Sequence, residues 1–269
     1  VFAQAKLAAK KTVALSNAKQ VATANLIYMG DYDDALIKSF FGFPTAPACN
    51  WGTVPFGTPG AFYNWRWALN PYVAKSSGLL SDPTNPFAAS NYWTQAYDGQ
   101  GAAPNVNLPS NFAVNTSVVG FANGACAGLA DKNGLDSLNG VDQIASTIII
   151  VPSRTQWNDM PFSWGTFSGL AGGPTSGNQN NGWCITASGA SGATCPAAGN
   201  GPIHAVGKQV SFIWGDGHAK TKAYSQTLRM NDQTNDDWNS AQMLNVATGK
   251  NFTFADRQQN VNAGYFPEY

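Results

Sequence analysis

The chain opens VFAQAKLAAKKTVALSNAKQVATANLIYMGDYDDAL (residues 1–36), a stretch rich in alanine and lysine. Small or apolar residues recur at Ala5, Ala8, Thr12, Leu15, Ala18, Ala22, Leu26 and Met29, three or four apart, which is the period of one face of an α-helix. Ala and Lys both have high helix propensity, so a helix is expected to run unbroken to about Tyr28. At 1.5 Å per residue such a rod is roughly 40 Å long. Its apolar face is narrow and made mostly of methyl groups, suited to close approach rather than to large burial. Lys6, Lys10, Lys11, Asn17 and Gln20 are assigned to the opposite face, and Gly30 with Asp31 is expected to interrupt the helix. No Ser, Thr, Asp or Asn caps its start, so it reads as the continuation of a longer helix.

Composition narrows the function classes. In 269 residues only 11% are charged, with 15 Lys plus Arg against 15 Asp plus Glu, while Gly reaches 28. A balanced charge gives no field for nucleic acid or an anionic membrane, and weak mutual repulsion suits copies that associate. No apolar run has membrane-spanning length; the densest, IASTIIIV at 144–151, is strand-sized. Nor is there a nucleotide-binding loop or a haem-attachment motif.

Outward from the helix, the Gly- and Pro-rich segment 40–60 reads as a covering loop, and Phe62 to Leu69 as a short helix stopped by Asn70-Pro71. Sheet signals follow. Phe112, Val114, Thr116 and Val118 alternate, Asp142 to Val151 forms a denser strand, and Val210, Phe212 and Trp214 share one face of a third. Asp216-Gly217 is the strongest hairpin signal, with Ala219 and Thr221 on the returning strand. The Gly-, Asn- and Trp-rich residues 152–202 form a long excursion, Trp238 to Val246 a helical candidate, and GKNFTFAD at 249–256 a strand. The expected class is α+β: a long N-terminal helix (1–34) packed on an antiparallel sheet of about four strands, the head (35–269) carrying large loops.

The four cysteines, Cys49, Cys126, Cys184 and Cys195, lack metal-site spacing. Cys184 and Cys195 bracket a segment that a bridge would close, leaving Cys49 with Cys126; three pairings are open, and bridges would imply an oxidising compartment. Asp232, Asn235, Asp236 and Asp237, beside Asn231, make an oxygen-rich cluster suited to calcium, without EF-hand spacing; Asp31, Asp33 and Asp34 make a lesser one. Asn115-Thr-Ser and Asn251-Phe-Thr match the glycosylation pattern.

The elements VFAQA (1–5), Ser16 to Gln20 and Tyr28 to Asp33 resemble the segment following the apolar half of the N-terminal helix in bacterial type IV pilins and type II secretion pseudopilins. LNPYV at 69–73 and FIWGDGHAK at 212–220 are similar to later motifs of the large prepilin-like group. His204 stands further ahead of Asp216 than the corresponding histidine of that group, so a shared role is not carried over. The resemblance implies a pilin-like fold and a homopolymeric, extracellular filament subunit. Its helices would bundle along the axis, with membrane contact only through an apolar segment ahead of Val1. Ala5, Ala8, Leu15, Ala18, Ala22 and Leu26 would be the assembly face.

No enzymatic activity is expected. Asp216, His218 and His204 could suggest a catalytic set, but Ser211 sits in no nucleophile elbow and Asp216 and Gly217 are accounted for as turn residues. The other reading is a secreted module binding glycans through tryptophans such as Trp65, Trp67, Trp93, Trp157, Trp164, Trp183 and Trp238.

Overall fold

A computed structural model describes residues 2–38, 40–41, 63–73, 77–85, 92–93, 108–109, 111–119, 137–153, 184–185, 191–192, 204, 206, 209–227, 237–238, 244–245 and 250–251. The opening helix α1 spans Phe2–Asp31, slightly longer than the expected rod. Its end is built by Asp33 (φ 52°) and Asp34 (φ 61°), two residues of the kind that tolerates the left-handed region. Asp34 N–H donates to Met29 O at 2.9 Å and satisfies a carbonyl of the last turn.

The main sheet has four strands, β1 (Phe112–Val114), β2 (Ile148–Pro152), β3 (Val210–Trp214) and β4 (Ala219–Lys222), each antiparallel to the next in chain order. With α1 this makes an α+β fold. All five residues of β2 and all three of β1 are buried, so these strands are covered on both faces and period-two alternation carries no signal there. Ile148 pairs with Trp214 and Ile150 with Ile213, so a bulge sits between them on β2.

Several expected elements differ. The alternation read through Val118 stops at Val114, and Thr116–Val119 is a helical turn. Asn115 causes the switch: its carbonyl accepts from Val118 and Val119 N–H, and its amide donates to Ile148 O. Asn115, the first residue of a sequon, is fully buried with its side-chain amide committed to Ile148 O. The short helix is Trp65–Leu69, preceded by a two-residue strand, Tyr63–Asn64. Where a helix was expected over Trp238 to Val246, Leu244–Asn245 instead pairs with Lys250–Asn251.

The buried face of α1 comprises Ala14, Ala18, Val21, Ala22, Ala24, Asn25, Tyr28 and Met29. Most of these belong to the same apolar cluster as Ile148–Val151, Phe212, Ile213 and Trp214. This face is rotated from the expected stripe: Ala18, Ala22 and Met29 are shared, Leu15 is half-buried, and Ala5, Ala8 and Leu26 are exposed. Alanines lie on several sides of the helix, so a methyl-based stripe does not fix its azimuth.

Candidate functional site

The turn after β3 is a three-residue loop. Gly217 N–H donates to Trp214 O and Trp214 N–H to His218 O, both at 3.0 Å, with Gly217 at φ 84°. This is a type I turn closed by a left-handed glycine. Asp216 Oδ1 accepts from His218 N–H at 3.1 Å and from His218 Nδ1 at 2.6 Å, so the Asp216 carboxylate fixes the turn. The His218 ring stacks on Trp214 with centroids 4.4 Å apart and planes 9° apart.

This turn abuts α1. A Cβ on Gly217 would stand 2.6 Å from Leu26 Cγ, and one on Gly215 would stand 2.8 Å from both Ile144 Cγ1 and Ile149 Cδ1. Both glycines therefore occupy places a side chain would obstruct, one under the helix and one over β2. Although Leu26 is 39% exposed, its inner edge lies on the hairpin. Further along, Tyr72 OH donates to Asp31 Oδ2 at 2.8 Å, tying the end of α1 to the segment after Trp65–Leu69. That hydrogen bond, together with desolvation and the charge of Asp31, pushes the Tyr72 phenol up to about 12.

Toward its start, α1 is exposed to solvent. Every residue from Phe2 to Lys10 is exposed, including Phe2 at 84% and Leu7 at 42%. The expected assembly residues thus divide along the rod: Ala18 and Ala22 are committed to the internal core, whereas Ala5 and Ala8 are open to another molecule.

The calcium candidates are placed only in part. Asp237 is buried and its carboxylate pairs with Lys222 Nζ. Asp232, Asn235 and Asp236 lie outside the described residues. Among the described residues no group of three His, Cys, Asp or Glu converges. Cys184 lies on a two-residue strand whose partner residue is Gly192, and Cys49, Cys126 and Cys195 lie outside the described residues. Of the tryptophans considered for sugar stacking, Trp65 and Trp238 are wholly buried, and the Trp238 ring meets Phe212 edge-on at 5.9 Å. Trp67 and Trp93 are placed in backbone only, on the short helix and on the strand Tyr92–Trp93, while Trp157, Trp164 and Trp183 lie outside the described residues.

One constellation escaped the sequence reading. Thr84 Oγ1 donates to Asp82 Oδ1 at 2.6 Å, so it accepts from His204 Nε2, 2.8 Å away. Asp82 N–H donates to Asn111 Oδ1 at 2.9 Å, and Asn85 Nδ2 to Ser153 O at 2.9 Å. His204 N–H donates to Pro152 O at 3.1 Å. Asp82, Asn85, Asn111, Ser153 and His204 are all buried. This network fastens the far end of the excursion begun at the end of β2 to that same end of the sheet. With its proton held by Asp82, the Thr84 hydroxyl is not activated by His204, so the trio is a clamp rather than a nucleophilic set.

Among the described residues no helix is long and apolar enough to cross a membrane. Comparison of the chain with protein families, with curated proteins and with solved structures finds no matching family and no significant match to a curated protein or a solved structure.

Proposed function

We propose that the protein is a structural, non-enzymatic subunit of an extracellular pilus-like filament, with α1 as its assembly element. The observation that carries this reading is the division of α1 into a long stretch that contributes to the core and an exposed start. From Ala14 onward the helix contributes eight buried residues to the fold, whereas every residue from Phe2 to Lys10 is exposed. Exposed Phe2, Leu7 and Val13 place apolar surface on this part of the helix. Helices of neighbouring copies would supply both cover and support, and the methyl groups of Ala5, Ala8 and Ala9 permit close approach.

The resemblance of Val1 to Asp33 to the pilin and pseudopilin helix supports the same reading. The hairpin at Asp216-Gly217 then serves as the seat that holds the rod at a fixed angle to the sheet.

Negative-stain electron microscopy of the purified chain at low ionic strength tests the proposal. Regular fibres of uniform width are expected; particles that stay monomeric at every concentration up to the solubility limit would overturn it.

A further inference from the structure

The strand β4 forms one edge of the main sheet, and its register fixes which of its backbone groups point away from β3. The bond from Trp214 N–H to His218 O makes those two a hydrogen-bonded pair, and the alternation of an antiparallel ladder extends this to Phe212 with Lys220 and Val210 with Lys222. The N–H and C=O of Ala219 and Thr221 therefore face outward. The next outward donor, Ala223 N–H, is capped by Gln226 Oε1 at 3.2 Å, whereas among the described residues nothing bonds to Ala219 or Thr221 on that side. Both are half-buried, and Lys220 between them is exposed. An open edge of this kind is a template for another strand.

Charge on the edge says what fits there. His218, Lys220 and Lys222 alternate with Ala219 and Thr221 and so share one face of the strand. The outer two have carboxylates of their own: Asp216 Oδ1 bonds His218 Nδ1 at 2.6 Å, and Asp237 pairs with Lys222. Lys220 at the centre has no such partner among the described residues. The row also disfavours β4 of a second copy. An antiparallel pair that bonds Ala219 to Thr221 of the other copy sets Lys220 directly against Lys220, and a shift of the register either way sets it against His218 or Lys222. Independently of the filament reading, we infer that β4 is a docking edge for an extended segment of another protein that carries an aspartate or glutamate opposite Lys220. The segment joins the sheet as a further strand. Main-chain bonds to Ala219 and Thr221 hold it, and the charge of Lys220 selects it.

The test is amide hydrogen exchange of the full chain, read residue by residue by nuclear magnetic resonance at a concentration below assembly. The chain is measured alone and titrated with two end-blocked peptides of alternating valine and threonine that differ only in a central glutamate or lysine. In the free chain the amides of Ala219 and Thr221 are expected to exchange fast and those of Lys220 and Lys222, bonded to β3, slowly. The glutamate peptide is expected to slow the first two, and the lysine peptide to bind about tenfold more weakly, as cross-strand attraction turns to repulsion. Lys220→Glu should reverse that preference. Thr221→Pro removes an outward N–H without touching the ladder to β3, so it should abolish binding at a urea midpoint close to that of the wild type. Where it lowers the midpoint, Lys220→Glu alone decides. Slow exchange at Ala219 and Thr221 in the free chain would overturn the proposal, because the chain itself or a second copy would then hold the edge. Equal affinity for the two peptides, protection by neither, a preference unchanged in Lys220→Glu, or binding that survives Thr221→Pro would overturn it as well.

Discussion

Leu26 on the helix and Gly217 in the hairpin turn are so close that a β-carbon on the glycine would stand 2.6 Å from Leu26 Cγ. Gly217 also carries φ 84°, a conformation that side chains resist. Gly217→Ala therefore incurs a left-handed penalty of roughly 1–2 kcal/mol and an overpacking cost of about 1–3 kcal/mol. Leu26→Ala in the same chain should recover the second cost but not the first. Urea denaturation of the wild type, both single variants and the double variant gives the coupling directly. Additive losses would show that the turn does not bear on the helix.

The same two residues show how far the sequence could be read. Asp216-Gly217 announces a hairpin because turn chemistry is local, and the turn forms there, although the loop takes in Gly215 as well. The strand expected over Asp142 to Val151 was legible only in its second half, where dense branched apolar residues form Ile148–Pro152; its first half turns instead as a 3-10 helix at Ile144–Ser146. The azimuth of α1 was not legible. Val21 and Tyr28 are buried while Leu26, 39% exposed, keeps only its inner edge on the hairpin, and alanines on several sides of the helix leave no stripe that would fix this choice. The strand read through Val118 failed because one side chain, Asn115, redirects the backbone. The clamp of Asp82, Thr84 and His204 had no local signature at all, because its members meet only after the chain has returned from a long excursion.

That clamp makes its own prediction. Thr84→Val keeps the shape of the side chain but removes the hydroxyl between Asp82 and His204, leaving a buried ring nitrogen without that partner. A loss of about 1–3 kcal/mol is expected by chemical denaturation, against less than about 1 kcal/mol for Thr84→Ser, which keeps the oxygen. Equal effects of the two substitutions would mean that the methyl group, not the hydrogen bond, matters at this position.

Lys222 and Asp237 join the returning strand to the segment that carries Trp238, and Lys222 also lies 5.8 Å from the centre of the Trp214 ring. The Asp237 side chain is 4% exposed and that of Lys222 25%, so solvent screens only one side of the pair. Lys222→Met keeps the stem and removes the cation facing a buried carboxylate. After discounting for the partial exposure of the lysine, a loss of roughly 1–2 kcal/mol is expected. Adding Asp237→Asn should return part of it. A double variant no more stable than Lys222→Met would show that the two groups are not coupled.

Alkaline titration examines the tie between Tyr72 and Asp31. In the unfolded chain the phenol ionises near its ordinary value of 10, and in the folded chain at about 12, so the folded state holds this proton more tightly. The stabilisation is complete below pH 10, declines as pH rises between those two values and is gone above the higher one. Tyr72→Phe removes the ionisable group, and its stability should be flatter with pH across this window than that of the wild type. Ultraviolet absorbance of ionised tyrosine should in addition show one group fewer titrating late. Parallel stability curves for Tyr72→Phe and wild type between pH 10 and 12 would mean that the phenol is not held by Asp31 in solution.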